Sequence, residues 1–222
     1  MSERVSEDVI SRGGYRARGM PYGAKRLIVW VMYLVVWPFG IASAVTYQLF
    51  ATEEVFSLCA KLLSLVPSKF GQYLRAAFYK MTLERSHYDL AVGFCSYFAH
   101  PTARVERGVG TGSFTIVGTA DIGRNVLISS RVSILSGKYQ HVDRSAADSA
   151  RRHPLYTRVR IGEGSWLGES SIIMADVGKH CVVSAGSVVT KTMPDGMTAI
   201  GNPARFLPLG GMSNGVDARE SA

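Results

Sequence analysis

Residues 116–134, IVGTADIGRNVLISSRVSI, decide the fold. Within them Ile116, Ile122, Ile128 and Ile134 stand six residues apart, and past a break the rhythm resumes in Ile161, Leu167 and Ile173, then in Val177, Val183 and Val189. A companion position four residues after each aliphatic is small: Ala120, Val126, Val132, Ser165, Ser171, Cys181 and Ser187. Glycines follow the aliphatics at Gly123, Gly162, Gly168 and Gly178. A helix repeats every 3.6 residues and a half-buried strand every two, so a period of six with turn-forming residues between fits neither. It fits a solenoid of very short strands, each stacked on the coil below, that runs from about Val105 to Phe206. A meander of antiparallel strands has no reason to hold six-residue spacing through three runs.

The 222 residues allow one sizeable domain and an appendage. Lys and Arg number 25 against 17 Asp and Glu, a formal net charge of +8. Much of the excess precedes a long apolar run, in Arg4, Arg12, Arg16, Arg18, Lys25 and Arg26, which reads as membrane-surface charge. No stacking-aromatic RNA motif or zinc-finger spacing supports nucleic-acid binding. Cys59, Cys95 and Cys181 are odd in number and lack a CxxC, which suits a reducing compartment. Cys181 falls on the small ladder of the repeat and reads as a packed core thiol.

Leu27 to Phe50 carries no charge and is long enough to cross a bilayer, with Trp30, Tyr33, Trp37 and Tyr47 as interfacial anchors. Pro38-Phe39-Gly40 interrupts it near the middle, and positive charge flanks both ends, with Lys61, Lys69, Arg75 and Lys80 on the far side. These features predict a re-entrant hairpin with both flanks in the cytoplasm, followed by an amphipathic stretch near Val55 to Val66 on the bilayer surface. A single span and a signal peptide cleaved near Ala44 are the alternatives.

Between Ile134 and Ile161 the chain must leave the coil and return. That loop carries His141 and, at its return, His153. Loops thrown from a rigid solenoid commonly carry function.

The runs Ile161-Gly162-Glu163-Gly164-Ser165-Trp166-Leu167-Gly168, then Val183 to Lys191, then Gly201-Asn202-Pro203-Ala204-Arg205 resemble the hexapeptide-repeat acyltransferases, in the branch that acetylates maltose, galactosides and xenobiotics and its polysaccharide O-acetyltransferase relatives. The resemblance covers about half the chain. It implies a left-handed parallel β-helix, against the usual right-handed crossover, and a homotrimer with its site between subunits. It implies the general base at His141, with His153 the second candidate. Imidazole suits that task because its unperturbed pKa, about 6.5, lies near neutrality. It implies cofactor contacts at Trp166, which would pack against the cofactor or the acceptor, at the amides of Ala185 and Gly186, and at Lys191 and Arg205, with acetyl-CoA as acyl donor and no metal. Between Ile173 and Val177 the step is four residues where the family has six and a Pro-Gly pair.

The resulting expectation is mainly β: a basic flexible tail over 1–26, a helical membrane-associated region over 27–84, a left-handed β-helix acyltransferase domain over 85–206, and a flexible tail over 207–222. The function it implies is acetyl-CoA-dependent O-acetylation of a sugar hydroxyl on a surface polysaccharide or its lipid-linked precursor, at the cytoplasmic face of a bacterial inner membrane. A non-catalytic tethered scaffold is one alternative. A γ-type carbonic anhydrase is another, but the three-histidine zinc spacing it needs is absent.

Overall fold

A computed structural model of the chain describes residues 22–50, 52–136 and 157–209. From residue 85 onward the chain winds into a three-sided coil of parallel strands. The first face holds β2 (Arg104–Val105), β5 (Ala120–Ile122) and β8 (Val159–Ile161), continued by single bridges from Ile161 to Val177 and from Val177 to Met193. On the second lie β3 (Gly110–Thr111), β6 (Leu127–Ile128), β9 (Trp166–Leu167), β11 (Val182–Val183) and β13 (Met197–Ile200). The third is built of β1 (Tyr97–Phe98), β4 (Ile116–Val117), β7 (Ser133–Ile134), β10 (Ile172–Ile173) and β12 (Val188–Val189). Only β14 (Arg205–Pro208) runs antiparallel, closing the last coil against β13.

Each face sends one residue per coil inward. The first contributes Val105, Ile122, Ile161, Val177 and Met193; the second Thr111, Ile128, Leu167, Val183 and Ala199; the third Phe98, Val117, Ile134, Ile173 and Val189. All but Thr111 are buried. Burying one such aliphatic is worth about 1.5–3 kcal/mol, so the stacked rungs are the main source of cohesion. The small companions turn the corners from inside: Ala120, Val126, Val132, Ser165, Ser171, Cys181 and Ser187 are all at most 1% exposed.

The register corrects one rung. Ile116 is 40% exposed and its neighbour Val117 faces inward. In a two-residue strand one side chain must point each way, and Ile116-Val117 offers two aliphatics between which spacing alone cannot choose. From Val117 the next inward rung, Ile122, is five residues on. The four-residue step from Ile173 to Val177 recurs between Val189 and Met193. Shortening therefore belongs to one corner of the prism, between the third and first faces, and Ile173 to Val177 is one instance of it. At the other two corners the inward step is always six.

Those other corners are turned by left-handed residues. Gly108, Asn125, Gly164, His180 and Gly196 share positive φ between the first and second faces, and Cys95, Phe114, Arg131, Ser170 and Gly186 do so between the second and third. Glycine adopts this region freely and asparagine tolerates it. Gly164 has a further reason, because a Cβ there would stand 2.6 Å from His180 Nδ1 in the coil above.

Cys181 lies at the first of these two corners, where its thiol donates to Pro194 O at 3.0 Å and burial raises its pKa. Thiolate is the reactive form. Iodoacetamide should leave Cys181 unmodified in the native protein and alkylate it after denaturation; mass spectrometry of tryptic peptides reads the difference. Rapid native labelling would contradict this packing.

Among the described residues three helices precede the coil: α1 (Tyr22–Phe50), α2 (Glu54–Ser64) and α3 (Ser68–Thr82). The hairpin expected at Pro38-Phe39-Gly40 is not formed. Instead α1 is one helix of 29 residues that runs through Pro38. Pro38 is exposed, while Val29, Val36, Gly40 and Ser43 form the buried stripe. Gly40 lies so close to α3 that a Cβ would stand 2.7 Å from Met81 Cε. A proline removes one helical donor and crowds one turn, and packing along the rest of the stripe outweighs that local loss. The remaining faces of α1 expose Leu27, Trp30, Leu34, Trp37 and Phe50, and residues Leu27–Phe50 are long and apolar enough to cross a membrane.

Beneath α1 the helices are welded to the coil. Phe56 of α2, Phe78 and Tyr79 of α3 and Phe98 of β1 form an aromatic cluster with centroids 4.8–5.8 Å apart between successive rings. The Tyr79 hydroxyl accepts from Phe98 N at 3.2 Å, and burial raises its pKa. Arg75 is 1% exposed and has no carboxylate beside it among the described residues. Its guanidinium donates to Val92 O (3.0 Å) on the first coil and to Leu63 O (3.0 Å) and Val66 O (2.8 Å) at the end of α2.

Candidate active site

The loop expected to carry the base leaves the coil at the corner between the third and first faces. Its neck is closed by Thr157 N donating to Ser136 O (3.1 Å), and the Ser136 hydroxyl accepts from Thr119 N (2.8 Å). Residues 137–156 lie outside the described residues, and His141 and His153 with them.

Trp166 stands on the second face, pointing outward between Leu127 of β6 and Val182 of β11. It is 49% exposed. Its Nε1 donates to Ser129 Oγ at 3.1 Å, which fixes the plane of the ring. Ala185 and Gly186 turn the corner between the second and third faces one coil above. The two places are adjacent: a Cβ on Gly168 would lie 2.6 Å from Ala185 N. Gly186 holds φ +69° with open space around it, so its conformation, not crowding, requires glycine.

Of these two amides one is already engaged. Gly186 N donates to Glu169 O at 2.8 Å, whereas Ala185 N finds no acceptor among the described residues. Only Ala185 N–H is therefore available to a ligand. Arg205 opens β14 opposite Ile200, at the upper end of the second face, and is exposed. Lys191 is also exposed but sits at the corner between the third and first faces, the corner of the loop neck. The structure thus groups Trp166 with Ala185 and Gly186, sets Arg205 beyond them, and places Lys191 on another edge.

Three described histidines have structural contacts. His87 stacks on Tyr88 at 4.2 Å, accepts from Asp89 N through Nδ1, and has its pKa lowered first by burial. His180 turns a corner against Gly164. His100 is mostly buried and lies 2.6 Å from Glu53, tying the start of α2 to the first coil. No group of three His, Cys, Asp or Glu side chains suited to a metal ion occurs among the described residues.

Two grooves beside the coil are lined by described residues. One, about 580 Å³, runs along the first face between alternating charges that include Arg104, Asp121, Arg160, Asp176 and Lys179. The other, about 410 Å³, lies on the second face between α3 and Trp166. Sequence reading missed the second groove. Its sign is the pair of small outward residues Ala91 and Gly110 below Leu127 and Trp166, visible only once outward positions are aligned coil by coil.

Comparison with known proteins agrees with this architecture. The hexapeptide repeat of succinyl-transferase matches residues 158–191. Serine acetyltransferase 4 of Arabidopsis thaliana is 33% identical over 114 residues, 49% of this chain and 28% of that protein. Galactoside O-acetyltransferase of Lactococcus lactis subsp. lactis (strain IL1403) is 35% identical over 104 residues, 42% of this chain and 48% of the relative. The chain thus spans less than half the length of these curated relatives. Among solved structures, a maltose O-acetyltransferase from Clostridium difficile 630 superposes with a TM-score of 0.59 at 23% identity, covering 69% of this chain and 83% of the other. By its repeat, its register and these likenesses, the chain has the fold of the maltose and galactoside acetyltransferase structures, a left-handed β-helix, and carries a hexapeptide repeat over residues 158–191.

Proposed function

We propose that the protein is an acetyl-CoA-dependent O-acetyltransferase acting on a sugar hydroxyl of a surface polysaccharide or its lipid-linked precursor. The observation that carries this reading is the free Ala185 amide one coil above the fixed indole of Trp166, in a chain whose coil is similar in sequence to acetyltransferases. His141 takes the proton of the sugar hydroxyl as its oxygen attacks the thioester carbonyl. Negative charge developing on the carbonyl oxygen is met by Ala185 N–H, a donor held rigid by the coil. The C–S bond breaks as the C–O ester bond forms, and the proton passes from the imidazolium to the departing CoA sulfur. No acyl-enzyme is needed, consistent with the buried, inert Cys181. Lys191 and Arg205 bind nucleotide phosphates. Their separate edges suit a homotrimer in which neighbouring subunits complete each site.

The helical layer supports a place on the inner membrane, facing the cytoplasm where acetyl-CoA is made. Held along α3 by one stripe, α1 gives its other faces to lipid. Beside it Leu58, Leu62, Leu65 and Phe70 are exposed along α2 and the start of α3, next to Lys61 and Lys69, as a helix at an anionic surface requires. The protein is then monotopic, and anchoring raises its effective concentration toward lipid-linked acceptors.

Isolated membranes bearing the protein should transfer radiolabelled acetyl from acetyl-CoA to endogenous saccharide. Ala185→Pro, which removes the free N–H, should slow the transfer about 10²–10³-fold. Transfer unchanged in Ala185→Pro would remove the amide from the mechanism. Loss of no acetyl group from the surface polysaccharide of cells lacking the gene, by mass spectrometry, would remove the function.

A further inference from the structure

We propose that the groove between α3 and Trp166 is an acceptor subsite for a neutral pyranose ring; the assignment rests on the O-acetyltransferase reading above. Its shape comes from the outward row of the second face, which reads Ala91, Gly110, Leu127, Trp166 and Val182 from bottom to top. Two small residues below two large ones leave a depression, and α3 walls it with Gln72. The volume, about 410 Å³, falls in the range of small-molecule sites.

The lining selects the chemistry. No charged side chain lines this groove, whereas the first-face groove is bordered throughout by ions. The lining itself offers no counter-charge to a phosphate, which favours a neutral ring here over the nucleotide end of CoA. Polar groups are nevertheless present and partly uncommitted. The Ser129 hydroxyl accepts from Trp166 Nε1, and its own proton has no acceptor among the described residues. Gln72 uses its carbonyl oxygen to accept from Lys69 Nζ at 3.2 Å, leaving the amide NH₂ as a donor. The indole is a flat apolar platform of fixed orientation. Such a combination suits a ring with an apolar C–H face and an edge of hydroxyls. Gly168, two residues beyond Trp166, packs against the Ala185 corner, so the donor amide lies one coil above the Trp166 end of the groove.

The test is saturation-transfer NMR on the full chain in a detergent without sugar groups, using methyl glycosides of glucose, galactose, N-acetylglucosamine and rhamnose as probes. At least one glycoside should receive saturation. The signal should fall tenfold or more in Trp166→Ala, fall likewise in Gln72→Leu, and survive both saturating CoA and Arg160→Ala, which alters the charged groove. Circular dichroism of each variant establishes that the coil is intact. The assignment is overturned if no glycoside receives saturation, if both groove variants retain it, or if CoA or Arg160→Ala abolishes it. Calorimetry with CoA separates the two readings: absence of CoA binding removes the transferase function, while the saturation result alone decides the groove.

Discussion

Replacing Arg75 by methionine is expected to lower the free energy of unfolding by about 3–5 kcal/mol, read from the denaturant midpoint of the far-ultraviolet signal. Methionine fills much of the same space, so the loss measures hydrogen bonding more than a cavity. The guanidinium supplies one face of its fork to Val92 O on the coil and another to Leu63 O and Val66 O at the α2 end. Without it Val92 O is left unpaired in a buried site and Leu63 O and Val66 O in partly buried ones, at about 1–3 kcal/mol each for those that stay buried. Burial alone disfavours the cation and lowers its pKa, but a guanidinium stays protonated throughout the working range. Its counter-charge is the negative end of the α2 dipole. The elbow is tight enough that a Cβ on Gly71 would lie 2.0 Å from Val66 O, so the helices cannot drift to new partners. Lysine should recover only part of the loss, because a point donor cannot serve α2 and Val92 together. Arg131→Met, at an exposed ion pair with Glu169, should cost no more than about 1 kcal/mol. Equal effects at the two arginines would show that Arg75 is not the weld.

The second large effect is catalytic. His141→Ala should reduce acetyl transfer about 10²–10⁴-fold, while CoA affinity by calorimetry stays within a factor of about two. The split follows from the proposed roles, in which the base acts on the acceptor hydroxyl in the transition state and the coil holds the pantetheine arm. His153→Ala serves as the comparison. A full loss at His153 with activity retained at His141 would exchange the two roles.

Much of the coil is legible because one physical rule recurs in every turn: an inward aliphatic, a small corner residue, a residue able to adopt positive φ. Ile122, Ile128, Leu167 and Val183 follow it without exception. Ile116 misleads because Val117 beside it is equally apolar, and only the stacked partners Phe98 and Ile134 select the inward one. Pro38 misleads in the opposite direction. Its local penalty is plain in the sequence, but the compensating contact of Gly40 with Met81 joins segments that no periodicity connects. The site divides similarly. Trp166, Ala185 and Gly186 stand out through the motifs, yet that Gly186 N–H is engaged and Ala185 N–H free depends on the coil below. Gln72 and Arg75 lie in a helix whose sequence carries no sign of the solenoid, and they matter through what the fold brings beside them.

Two corners of the prism hold the inward step at six residues in every coil, while the third takes seven, five, twenty-seven, four and four in succession. Chain length is therefore a free variable along that one edge. Material can be added or deleted there without moving a single rung, since each neighbouring face re-enters in register regardless of the path between. The edge is the protein's evolvable port: new loops, and with them new acceptors, can be trialled at Met174-Ala175-Asp176 or Thr190-Lys191-Thr192 while the stacked core stays unaltered.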